Sequence, residues 1–288
     1  MNVLVTGASG QVGRALVATA PAGVFVTAKT HAQLEIGDPQ AVAEAIGTSG
    51  ARWIVNAAAY TAVDRAESEP ERAAAINDIA VGVLATAARS AGARLLHLST
   101  DFVFDGRANR AYGPDDAPNP LSVYGRTKLG GERRALDAGC GAIVLRTAWV
   151  YAAAGQNFAL TMLKLMRERD QVRVVADQFG APTWARGLAS AIWGLIGAGA
   201  PAGIHHWTDL GIASWYDFAV AIQDEALARG LLVRAVPVLP ISTPDYPTPA
   251  RRPAFSLLDS RTTRELVGGG ARHWRHQLQG MFDELRSA

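Results

Sequence analysis

Short apolar runs rich in β-branched residues alternate with stretches of helical periodicity along the first half of the chain. Residues 2–6, 24–28, 52–56, 94–100 and 142–146 read as strands, the first buried and the fourth in the core. Between them the spacing predicts a helix through Leu16 and Val17 and a second opened by Asp38-Pro39 and running to about residue 47. There aspartate serves as N-cap and proline takes the first helical position. An alanine-rich helix spans residues 70–91, and a further helix carries Tyr124 and Lys128. This alternation predicts an α/β fold with a doubly wound parallel sheet. Beyond Tyr151 the pattern loosens: a helix over 158–168, a strand over 172–175, a loop at 180–184 leading into another helix, and six prolines between Pro237 and Pro253. We therefore expect a sheet domain over residues 1–150, to which later segments return, and a smaller interleaved α/β lobe over 151–288.

Composition narrows the function classes. The chain has 288 residues, 49% of them hydrophobic and 19% charged, with a net charge of +2. That balance argues against an extended nucleic-acid surface. The least charged run, residues 188–204, is short and broken by glycine and proline, so a membrane span is not expected. Cys140 is the only cysteine, which excludes an intrachain disulfide and a thiolate metal cluster. Met1 leads directly into strand-like sequence, and the expectation is a cytoplasmic protein.

Three stretches carry chemistry. Gly7-Ala8-Ser9-Gly10-Gln11-Val12-Gly13 lies between the first strand and the first helix, the context a dinucleotide fingerprint requires. Gly7 permits the tight turn, Gly10 admits a pyrophosphate against the backbone, and Gly13 allows close helix–strand packing. The second strand ends at Lys29-Thr30 with no carboxylate for an adenosine ribose, and a cation there favours a 2′-phosphate, hence NADPH over NADH. Tyr124 and Lys128 stand one helical turn apart on one face. A phenol, with a pKa of ~10, donates a proton at neutral pH, and a nearby cation stabilises the phenolate left behind. His97, with no second metal-type residue spaced to join it, reads as a packed strand histidine, and no metal site is expected.

Together these residues resemble the extended short-chain dehydrogenase/reductase superfamily, whose fold is of the Rossmann type. Longer blocks are similar to its dTDP-4-dehydrorhamnose reductase family: residues 56–64 (NAAAYTAVD), 99–106 (STDFVFDG), 146–151 (RTAWVY), 249–253 (PARRP) and 256–259 (SLLD). The resemblance implies NAD(P)H-dependent reduction of the C4 ketone of a dTDP-linked 4-keto-6-deoxy sugar, dTDP-4-dehydro-L-rhamnose, with Tyr124 as proton donor. It implies that Lys128 lowers the tyrosine's pKa and bonds the nicotinamide ribose, and that Thr100 holds the carbonyl oxygen. Gly10, Gln11 and Val12 would meet the pyrophosphate, and Ala59, Thr61 and Leu98 would line the cofactor pocket. Asp101 and Trp149 would contact the sugar, and Arg252 the diphosphate.

Two departures stand out. Lys29 replaces the acid that family members carry near the end of the second strand, which leaves NADH open beside NADPH. Ala15 occupies the place where some members have a magnesium-binding glutamate at a dimer contact, so that metal and that dimer are not carried over, and a homodimer of another kind stays open. A sugar-nucleotide dehydratase would need a second acid beside Asp101, where this chain has Phe102. An epimerase remains open. The rival from another class is an NADP-binding regulatory subunit, which would have no need of Tyr124 or Lys128.

Overall fold

The computed structural model describes residues 1–287. Its first half builds β1 (Asn2–Thr6), α1 (Gln11–Ala18), β2 (Phe25–Lys29), α2 (Pro39–Ser49) and β3 (Trp53–Asn56). Then come α3 (Val63–Ala66), α4 (Pro70–Ala74), α5 (Ala80–Ser90), β4 (Arg94–Thr100), α6 (Val123–Asp137), β5 (Ile143–Thr147) and β6 (Val150–Tyr151). The second half contains α7 (Phe158–Glu168), β7 (Val172–Val175), β8 (Phe179–Gly180), β9 (Thr183–Trp184), α8 (Ala185–Gly197) and β10 (Gly203–His206). It ends with β11 (Ala213–Ser214), α9 (Trp215–Ala228), β12 (Val238–Ile241), α10 (Arg261–Leu266) and α11 (Trp274–Ser287).

Six strands form one parallel sheet in the order β2-β1-β3-β4-β5-β10. The central strands β1, β3, β4 and β5 are buried on both faces, which is why they are nearly continuous apolar runs, whereas the edge strand β2 is partly exposed, with Phe25 open to solvent. Leu4, Ile54, Leu95 and Val144 face α2, α5 and α6, while Val3, Val5, Val55, Leu96 and Leu145 face α1 and α8. Strand order reverses around β1, so the crevice above the carboxyl ends of β1 and β3 is the topological switch point where such sheets bind ligands. A third apolar cluster joins α7, α9 and α11 to β7.

The expected helix over residues 70–91 is interrupted. One wide π turn, Ala75–Ile79, separates α4 from α5. Its cause is tertiary: buried Asn77 accepts the Tyr60 N–H (2.9 Å) and donates to the Tyr60 carbonyl (3.0 Å) and to the Thr127 hydroxyl (3.3 Å). Its carbonyl lies against Gly131 of α6, where no side chain would fit. Asn77 thus clamps the loop after β3 to the helix that carries Tyr124, a role in keeping with π turns at functional sites. β10 and β12 were not evident as strands in the sequence; β12 holds Pro240, tolerable because it pairs on one side only, with β7.

Candidate active site

The glycine loop forms a cradle at the N-terminus of α1. Gly7 has φ +67°, and a Cβ there would lie 2.6 Å from the backbone of Ala57 and Ala58. A Cβ on Gly13 would lie 2.7 Å from Ala8 Cα. The space between β1, β3 and the first helical turn therefore admits only glycine at these positions; the Gly10 N–H is taken by the Gly7 carbonyl (2.9 Å), and the helix dipole makes the first turn of α1 favourable to an anion. These residues fit a dinucleotide pyrophosphate. The Gln11 side chain turns aside to the second half of the chain, where its Oε1 accepts from Asn157 Nδ2 (3.0 Å). Lys29 sits beside the cradle, its carbonyl accepting the Ala8 N–H (3.0 Å). Its ammonium pairs with no carboxylate among the described residues. Ala59 is half-buried and Thr61 exposed in the loop after β3, and Leu98 is half-buried on β4.

The helix bearing the tyrosine is anchored at its start. Ser122 Oγ caps α6 by accepting the Gly125 N–H (3.1 Å), and Glu67 Oε1 accepts the Val123 N–H (2.7 Å). Tyr124, Lys128 and Glu132 follow at four-residue intervals on one face. Tyr124 lies edge-on to Phe102, ring centroids 5.7 Å apart, with its phenol beside the Thr100 hydroxyl. Burial pushes that phenol up to about 12, with Asp101 adding to the rise and Thr100 opposing it. Tyr124 therefore holds its proton throughout the neutral range, and the lowering expected from Lys128 does not appear, because burial outweighs it. Lys128 is buried and donates to the Leu98 carbonyl (2.6 Å). Burial lowers it to about 8, with Glu132 opposing.

Asp101 is also buried. It accepts from Thr100 Oγ1 (3.1 Å) at Oδ1, the Ser256 hydroxyl lies close enough to oppose its rise, and Oδ2 is left without a hydrogen bond of good geometry. Burial raises it to about 6. Because its folded pKa exceeds that of the unfolded chain, the native state binds the extra proton, and stability falls as pH rises from about 4 to 6. Above that window the cost is on the order of 2–3 kcal/mol. Asp101→Asn is expected to raise the melting temperature by several degrees at neutral pH, and the gain should shrink as pH drops toward 4. Equal melting temperatures across that range would show that Asp101 carries no such cost.

Trp149 has φ +48°, the one positive value on a non-glycine residue among the described residues. Its indole stacks on Trp215 of α9 at 3.5 Å and 6°, and it covers Gly180, where a Cβ would fall 2.8 Å from the ring. Trp215 was not singled out in the sequence, since a tryptophan opening a helix resembles any core aromatic. Arg252 is engaged rather than free. It donates to both Asp64 oxygens (3.1 and 2.8 Å) and to Thr248 Oγ1 (2.5 Å), tying the proline-rich segment to α3.

No helix among the described residues is long and apolar enough to cross a membrane. The RmlD substrate binding domain family matches residues 1–287. A dTDP-4-dehydrorhamnose reductase from Escherichia coli K12 is 41% identical, covering 99% of this chain and 98% of that protein. Its counterpart from Burkholderia thailandensis is 40% identical over 96% and 97%. Among solved structures, a Bacillus anthracis dTDP-4-dehydrorhamnose reductase in complex with NADP superposes with a TM-score of 0.92 at 33% identity, covering 98% of this chain and 99% of that one. A Thermus thermophilus UDP-glucose 4-epimerase, 18% identical with a TM-score of 0.84 over the full length of both chains, shares the fold. By the full-length family match and relatives at this identity, the chain belongs to the RmlD family of dTDP-4-dehydrorhamnose reductases.

Proposed function

We propose that the protein reduces the C4 ketone of dTDP-4-dehydro-L-rhamnose to give dTDP-L-rhamnose. The observation that carries this reading is a protonated phenol, Tyr124, set beside the Thr100 hydroxyl at the carboxyl edge of the sheet, on the same helix face as Lys128. When bound, a reduced nicotinamide supplies the hydride, with NADPH preferred and NADH allowed.

Gly7, Gly10, Gly13 and the backbone of Gln11 and Val12 hold the pyrophosphate. Ala59, Thr61 and Leu98 line the pocket, and Lys29 takes the 2′-phosphate. Tyr124 and Lys128 reach the nicotinamide ribose. Thr100 donates to the ketone oxygen, and Tyr124 gives it a proton as carbon takes the hydride. Asp101 accepts from a sugar hydroxyl through Oδ2, and Trp149, rigid against Trp215, packs on the sugar. Arg252 reaches a diphosphate by exchanging Asp64 for it, one anion for another.

Reduced-nicotinamide absorbance followed with a panel of 4-keto sugar nucleotides tests this. Turnover should be fastest with dTDP-4-dehydro-L-rhamnose and NADPH, and Lys29→Asp should move the preference toward NADH by about tenfold or more. Absence of turnover with every ketone in the panel would remove the reductase reading. A hundredfold preference of the unaltered protein for NADH would remove the role given to Lys29.

A further inference from the structure

His97 lies fully buried in the middle of β4, between Asn56 and Lys128. Asn56 Nδ2 is 3.0 Å from His97 Nδ1, and Lys128 Nζ is 3.3 Å from His97 Nε2. The amide of Asn56 has only one orientation available. Its Oδ1 accepts the Ala58 backbone N–H (3.2 Å) and the Thr6 hydroxyl (2.7 Å), and a backbone N–H is always a donor. Nδ2 must then donate to His97, which makes Nδ1 an acceptor and places the ring proton on Nε2. Nε2–H faces the lysine nitrogen. An amine can accept that bond, whereas an ammonium opposes it donor to donor.

We propose that His97, locked by Asn56 as the Nε2–H tautomer, is a positioning residue that holds Lys128 against the Leu98 carbonyl and lowers its proton affinity. For turnover this rests on the reductase reading, since it makes Lys128 rather than Tyr124 the group whose titration closes the alkaline side of the pH profile.

Burial also lowers the proton affinity of Lys128, and His97 adds to it; the other groups around Lys128 do not. On its own helix, Glu132 would raise its proton affinity, but that carboxylate is held at both oxygens by Arg146 of β5 (2.9 and 2.7 Å). Tyr124, one turn back, is neutral, and Asp101 at the end of β4 acts on Tyr124. His97 is itself kept neutral, its proton affinity pushed well down by burial and by Lys128.

The chain has three lysines, Lys29, Lys128 and Lys164, so 13C-lysine labelling gives three ε-carbon signals, two of them references. In the unaltered protein Lys128 should titrate well below the other two, and the His97 nitrogens should show an acceptor-type 15N shift at Nδ1 and an N–H-type shift at Nε2. In His97→Met the Lys128 midpoint should rise by about one pH unit, with the alkaline limb of kcat/KM moving in step. A reversed tautomer in the unaltered protein overturns the proposal, even where His97→Met fails to fold. So does an unmoved Lys128 midpoint in a folded variant. Both spectra are taken without substrate, so they stand apart from the sugar panel: a protein inactive on every ketone would sink the reductase reading and leave the Lys128 result intact.

Discussion

Tyr124→Phe should lower kcat for the 4-keto sugar by about 100-fold or more while sugar-nucleotide affinity stays within a few-fold. The substitution keeps the ring, its edge-on contact with Phe102 and its place on α6, and it deletes one O–H group. That loss is felt only as negative charge gathers on the ketone oxygen, so it belongs to the transition state, where about 2.7 kcal/mol corresponds to 100-fold. The high pKa of the phenol adds a second expectation. At about 12 the donor stays loaded at every practical pH, so the alkaline fall in the unaltered enzyme should occur well before the tyrosine ionises. Turnover by absorbance and binding by calorimetry on the same preparation check both. Unchanged kcat in Tyr124→Phe would remove the phenol from the mechanism, and a limb placed at the phenol's own titration would remove Lys128 as its cause.

The centre of the sheet was legible because a strand buried on both faces has to be apolar along its length, and the edge strand β2 because its residues are mostly β-branched or aromatic. The five strands expected from the first half of the chain fall within one residue of their observed ends. The glycine cradle was legible for a similar reason, since positive φ and close backbone contact leave glycine alone at Gly7. What stayed hidden is whatever depends on partners distant in sequence. The π turn at Asn77 follows from contacts with Tyr60 and Gly131, and local periodicity there reads as plain helix. Arg252 resembled a free phosphate ligand because its partner, Asp64, lies 188 residues away. His97 read as packing, which it is, but its hydrogen bonds to Asn56 and Lys128 give the packing a chemical consequence. β10 escaped notice because two of its four residues are histidines, both buried by neighbours that the sequence does not place.

Glu132→Gln should destabilise the protein by about 3 kcal/mol and lower its melting temperature by about 10 °C, more than any substitution of an exposed charge. Glu132 and Arg146 are each 1% exposed, and three hydrogen bonds end on the carboxylate: two from Arg146 and one, at 2.5 Å, from Ser99 Oγ. The arginine has little else. Its guanidinium stacks 5.0 Å above the Phe104 ring, and Nη1 faces His206 Nε2 at 3.5 Å. His206 donates from Nδ1 to the Tyr112 carbonyl, and burial followed by Arg146 drives it down to about 3, so it stays neutral, adding no second cation but bringing no negative charge to replace the carboxylate's. Neutralising Glu132 therefore leaves a buried cation uncompensated, and the damage extends to catalysis. This pair fixes the middle of α6 against β4 and β5 two turns beyond Tyr124, and a loosened helix spreads the positions of Tyr124 and Lys128. Replacing both partners, Glu132→Met with Arg146→Met, removes the buried charge and should recover much of the lost stability, because an apolar pair avoids the desolvation that either ion alone suffers. Melting curves of the two single variants and the double variant separate the terms. If Glu132→Gln melts with the unaltered protein, the ion pair is not what seats the catalytic helix.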